Sequence, residues 1–150
     1  MILKNYFQAM HIRNLLAHKF LYLWLAELWT LFIAFLCLES FQKLPSMGIK
    51  SADKYVHFTF HFVFVILWSL YFIKKQPDNK SAVKKIVLRV FLASVIYGIL
   101  IEIAQGLFTA TRSADIYDVL ANSTGSMFGV FAILSYTFYL FKKREIKSNL

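Results

Sequence analysis

The sequence predicts an all-α membrane protein, a bundle of four transmembrane helices with both termini in the cytoplasm. Three observations predict it: apolar residues dominate, they fall in four long runs, and basic residues collect at alternate ends of those runs. Of 150 residues, 59% are hydrophobic and 18% aromatic, with a mean hydropathy of +0.57. Only 17% are charged, where an ordinary soluble domain carries about 25%.

The first run is Phe20 to Leu38, broken only by Glu27. It is too long for the apolar region of a signal peptide and no small-residue cleavage site follows it, so a retained span is expected. The second runs from about Tyr55 to Ile73 and carries His57 and His61. The third, Ile86 to Phe108, holds Arg89 near one end and Glu102 near the other. The fourth, Val119 to Phe141, is broken only by small polar residues near its start. Each meets the roughly 20 residues needed to cross a hydrocarbon core about 30 Å thick. One domain covering residues 1–150 is expected, because little chain is left outside the spans.

Orientation follows from lysine and arginine. The segments before the first span, between the second and third, and after the fourth, counted with Arg89 at the adjoining end of the third span, hold thirteen of the seventeen basic residues. An even number of spans puts all three segments on one side, the cytoplasm, and turns the loops 39–54 and 109–118 outward. Tyr22, Trp24, Trp68, Tyr71, Tyr136 and Tyr139 lie near the cytoplasmic boundaries, where amphipathic rings prefer to sit. The net charge of +9 is then that of anchors facing anionic lipid, and nucleic acid is not the expected partner. The single cysteine, Cys37, lies inside an apolar run, which excludes an intramolecular disulfide and a thiolate metal site in this sequence.

Ionisable groups in a membrane cost about 2.5–3.5 kcal/mol each on insertion scales, and here they gather at the outer ends of the spans. Asp53, His57 and His61 recur every four residues and form a stripe on the second span. Glu102 and Gln105 approach the outer end of the third, the loop adds Arg112, Asp115 and Asp118, and Asn122 follows one turn into the fourth. Ser94, Gly98 and Glu102, and Ala121, Gly125 and Gly129, repeat at four-residue spacing, a period that permits close helix contact in lipid. The expectation is that the third and fourth spans pack through these faces.

The pattern Asp53-Lys54-x-x-His57-Phe58, then Glu102-x-x-Gln105, Arg112, Asp115, Asp118, Asn122, Gly125 and Gly129, resembles the VanZ-like family of bacterial membrane proteins over about Pro45 to Phe131. The resemblance implies a multi-pass protein of the bacterial inner membrane, in a family named for a member associated with low-level teicoplanin resistance; it implies no reaction. The first span, with Glu27, departs most from the family pattern.

Several readings of the cluster stand side by side. Arg112 has the planar fork that holds a phosphate or carboxylate, and an anionic envelope lipid or cell-wall precursor would supply one. Lys54, Gln105, Asp115, Asp118 and Asn122 would frame such a ligand. Alternatively, His57 with Asp53 or Glu102 would act as acid and base in a small intramembrane hydrolase or transferase. In the plainest reading the polar groups only bond helix to helix, at about 0.6 kcal/mol per bond. His57 and His61 have the spacing of a metal pair, but no full ligand motif such as H-E-x-x-H is present, so neither a metal nor another cofactor is expected. Glu27 is either a solvated acid near the inner surface or a partner for Arg89 and a proton site. Transport is the weakest reading, since four spans make a poor alternating-access machine without oligomerisation.

Overall fold

The computed structural model describes residues 2–39, 52–74, 79–109 and 114–148, with side chains described from Phe20 onward. It consists of α1 (Ile2–Leu38), α2 (Ala52–Ile73), α3 (Lys80–Phe108) and α4 (Ile116–Ser148). All four are long and apolar enough to cross a membrane, the eligible part of α1 being Phe20–Leu38. The helices outrun the apolar runs because backbone hydrogen bonding continues past the point where hydrophobicity stops. Thus α1 extends back to Ile2 and α4 on to Ser148.

The helix ends are fixed by local chemistry. Asn79 caps α3, its Oδ1 accepting from the Ala82 N–H at 2.9 Å. Asp115 caps α4 in the same way, accepting from the Tyr117 N–H at 2.8 Å. Asp118 then puts a carboxylate in the first turn of α4, where the helix dipole favours it. The turn expected at Pro77 and Asp78 and the irregular loop at Pro45 and Gly48 lie outside the described residues.

The interior is unlike that of a soluble bundle. Among the described residues, ten of the buried side chains are polar or charged against eleven hydrophobic ones, while Trp24, Leu31, Phe35, Ile96, Phe131 and Phe138 face outward. A soluble protein could not expose so much contiguous apolar surface, whereas lipid is its natural solvent.

α2 and α4 run parallel and approach most closely. A Cβ at Gly125 would collide with the carbonyl oxygen of Phe58, and one at Gly129 would lie 2.9 Å from Val65 Cβ and 3.0 Å from the Phe62 carbonyl oxygen. This corrects half of the expected packing: Gly125 and Gly129 seat α4 on α2, while Ser94 and Gly98 of α3 do face α4. The α3–α4 contact runs instead through polar residues, with Ser94 Oγ 2.8 Å from Ser126 Oγ. α1 lies against α2 and α3 and not α4 among the described residues. It is held by donors reaching backbone carbonyls: Trp29 Nε1 to Phe60 at 2.9 Å, and Gln105 Nε2 to Cys37 at 2.8 Å. The Tyr97 hydroxyl likewise donates to the Thr30 carbonyl at 2.6 Å.

One end of the bundle therefore joins the start of α2, the end of α3 and the start of α4. The opposite end carries Lys74, 4.3 Å from the Tyr22 ring centroid, and Lys80, 2.7 Å from Glu145 Oε1. The basic segments thus share one end, as the charge pattern predicts.

Candidate functional site

The end that joins α3 to α4 assembles most of the residues the sequence singles out. Lys54, at the first turn of α2, sits among three carboxylates: Asp53 Oδ2 at 3.1 Å, Asp115 Oδ2 at 2.9 Å and Asp118 Oδ1 at 3.0 Å. Its ammonium holds the Asp115 carboxyl below the usual carboxylate range, helped by the Tyr117 N–H. Asp115 does three jobs: one oxygen caps α4, the other binds Lys54, and its N–H donates to Glu102 Oε2 at 3.1 Å. The loop before α4 is thereby tied to α2 and α3.

Behind Lys54 lies a drier layer. His57 comes from α2, Glu102 from α3, and Asp118 and Asn122 from α4, and all four are buried. His57 Nδ1 is 3.1 Å from Asn122 Oδ1 and 3.7 Å from Glu102 Oε1. Asn122 Oδ1 is an acceptor, so Nδ1 carries the proton, and Nε2 of a neutral His57 keeps its lone pair. That nitrogen is 3.9 Å from Asp118 Oδ2, the oxygen that Lys54 leaves free. Glu102 Oε1 and Asn122 Nδ2 are buried with no hydrogen-bond partner among the described residues.

One turn deeper a chain of hydroxyls closes the site. Ser126 Oγ donates to the Asn122 carbonyl at 2.8 Å, so Ser94 Oγ must donate to Ser126 and His61 Nδ1 must donate to Ser94, at 2.9 Å. The direction of every proton in this chain is set by its last acceptor, a carbonyl. Gly98 makes room for it, since a Cβ there would lie 2.9 Å from Asn122 Nδ2 and 3.0 Å from His61 Cε1.

Several expectations change here. Asp53 does not orient His57; it is exposed and bound to Lys54, while Asn122 takes the orienting position. His61 is spent on Ser94 and stands outside the group formed by His57, Glu102 and Asp118. Gln105 is buried and reaches α1. Glu27 is exposed on α1, and no ion pair joins it to Arg89 among the described residues. Arg112 lies outside the described residues. Ser126 was not singled out in the sequence, although its position four residues after Asn122 marks it as sharing the inward face of α4.

A family model described as VanZ/LLP1 matches residues 3–141. The match takes in α1, which the motif resemblance had left at the margin. No curated protein and no solved structure matches the chain. With four membrane-crossing helices and a family match over nearly all its length, this multi-pass membrane protein belongs to the VanZ/LLP1 family.

Proposed function

We propose that the protein works in the bacterial inner membrane, with both termini cytoplasmic, and that its outward-facing site binds the head group of an anionic lipid or cell-wall component. One observation carries this reading. Beside His57, at the meeting of α2, α3 and α4, Glu102 Oε1 and Asn122 Nδ2 offer an acceptor and a donor that no described protein group uses. Interhelical bonding alone would satisfy both, because an unmet polar atom in a dry interior costs about 1–3 kcal/mol. Lys54 at the rim is the positive group nearest the mouth among the described residues, and Arg112 in the adjoining loop would supply the second. Basic ends facing the cytoplasm support the orientation.

A second reading has its own support. His57 and Glu102 are buried side by side, 3.7 Å apart, near enough to become an acid/base couple if a bound substrate draws them together, and the bound lipid would then be a substrate for hydrolysis or transfer.

The test is a set of variants scored for glycopeptide sensitivity, for protein level in the membrane and for retention of the purified protein on vesicles containing anionic lipid. Binding predicts that Arg112→Ala, Lys54→Ala and Asn122→Ala lose phenotype and retention at normal protein level, with Arg112→Ala the most damaging. Catalysis predicts that His57→Gln and Glu102→Gln abolish the phenotype while retention persists. If each loss of phenotype follows a loss of protein, the cluster is structural and both readings fall.

A further inference from the structure

We propose that His57, Glu102 and Asp118 bind a divalent transition-metal cation of the zinc type. One ligand atom from each residue lies within 4.8 Å of the other two, and the three come from three different helices. Two ligands on a tetrahedral zinc with bonds of about 2.1 Å lie about 3.4 Å apart. His57 Nε2 lies 3.9 Å from Asp118 Oδ2, a few tenths of an ångström beyond this, while Glu102 Oε1 lies 3.7 Å from the other ring nitrogen, Nδ1, so the Glu102 carboxylate turns toward Nε2 when one ion takes all three.

Geometry alone would not be enough; the chemistry of the donors adds to it. Glu102 Oε1 is buried and unpartnered, aimed at the imidazole. Asn122 takes the Nδ1 proton and so presents the Nε2 lone pair toward Asp118 Oδ2. A lone pair and a carboxylate oxygen facing each other across 3.9 Å in a buried site have no attraction unless something positive stands between them. The shell behind the ligands is also built: Asn122 holds the His57 tautomer, and the Asp115 N–H fixes Glu102 through Oε2. Metal ligands are held by such outer contacts.

The neighbouring carboxylates provide a contrast. Asp53, Asp115 and Asp118 also bring their oxygens within 4.8 Å of one another, but the Lys54 ammonium fills that space. Asp118 divides its two oxygens between the lysine and the histidine. Among the described residues the cluster has four carboxylates, those of Asp53, Glu102, Asp115 and Asp118, against the one ammonium of Lys54, which leaves it at −3 with neutral histidines. A divalent cation offsets most of that charge. One imidazole and two carboxylates suit zinc or manganese better than a thiolate-seeking metal. No ligand motif is visible in the sequence because the three donors sit on separate helices. The site does not depend on the head-group reading, although on that reading the cation would also draw an anionic ligand into an acid-rich mouth.

The test uses the full chain, purified in detergent micelles without a metal-binding tag and stripped with a chelator. Zinc is titrated calorimetrically, and bound metal is counted by elemental analysis after desalting. The expected result is one zinc per chain at micromolar affinity or tighter, lost by about tenfold or more in each of His57→Gln, Glu102→Gln and Asp118→Asn. Asp53→Asn, outside the ligand set, keeps it. X-ray absorption at the zinc edge should show nitrogen and oxygen neighbours without sulfur, which separates this site from capture by Cys37. Each variant is compared with the parent by circular dichroism and gel filtration, and the parent's absorption spectrum stands even if a variant misfolds. Substoichiometric zinc on the parent, sulfur in the shell, or full binding in all three well-folded ligand variants overturns the proposal. Lipid retention that is unchanged by the chelator, with no zinc bound, overturns the cation and leaves the head-group reading intact.

Discussion

Both ends of the bundle are rich in ionisable side chains, and the protein treats them in opposite ways. At the basic end Lys80 and Glu145 pair at 2.7 Å with side chains 59% and 64% exposed, and Lys74 rests on the Tyr22 ring. At the other end Lys54 has three carboxylate partners, and the His57 and Glu102 side chains behind it are only 5% and 4% exposed. Exposed charges at a membrane surface cost little to keep and act as anchors. Buried ones carry a desolvation cost that their mutual attraction often does not return. The difference teaches that charge density marks the ends of the bundle, while burial of charge marks the candidate site.

The largest effect expected is at the close approach that holds α2 and α4 together beside the polar end. Gly125→Ala drives a methyl group into the Phe58 carbonyl oxygen, so its cost should reach or exceed the upper end of the ~1–3 kcal/mol of an overpacked core. The folded fraction, read by gel-filtration fluorescence of membrane extracts, should fall sharply. Gly129→Ala should fall less, because its worst contacts, near 3 Å, include the Val65 side chain. Phe138→Ala, on the outward face, should leave the fraction unchanged. Equal losses in all three would mean that the glycines do not set the packing.

Next in size is Lys54→Met, which keeps the side chain's length and strands Asp53, Asp115 and Asp118 around an empty centre. The melting temperature in detergent should drop well beyond that of any single lysine change at the basic end. The effect should also depend on pH. The folded-state pKa of Asp115 is lowered by Lys54, so its contribution is present above the unfolded value of 3.8 and is lost as pH falls through the folded value. The gap in melting temperature between parent and Lys54→Met should therefore hold from neutral pH to about 4 and close below it. A gap that persists under fully protonating conditions would assign the lysine's role to packing.

The fold was legible because lipid imposes long apolar runs, and the common end of the basic segments was legible because the spans are even in number. Much of the polar cluster was visible too, since an ionisable residue inside an apolar run is conspicuous in any sequence. Its internal pairing was not. Four-residue spacing puts Asp53 and His57 on one stripe, but spacing on one helix says nothing of what the next helix offers. Asn122 and Glu102 reach His57 across helix contacts, whereas Asp53 turns to Lys54 beside it. The glycine stripe was assigned to α3 for the same reason: its period announces a close contact without naming the partner.

The smallest effect expected is the one that sharpens the comparison most. Lys80→Met removes the shortest ion pair among the described residues, 2.7 Å to Glu145 Oε1, and distance alone would rank it above any contact of Lys54. Both side chains are well over half exposed, so water and salt screen the attraction and the long side chains lose entropy in making it, leaving about 0–1 kcal/mol. The change in melting temperature should be close to nothing and should vanish in high salt, while that of Lys54→Met survives. A Lys80→Met variant as unstable as Lys54→Met would mean that the two ends are built alike, and that burial does not single out a working end.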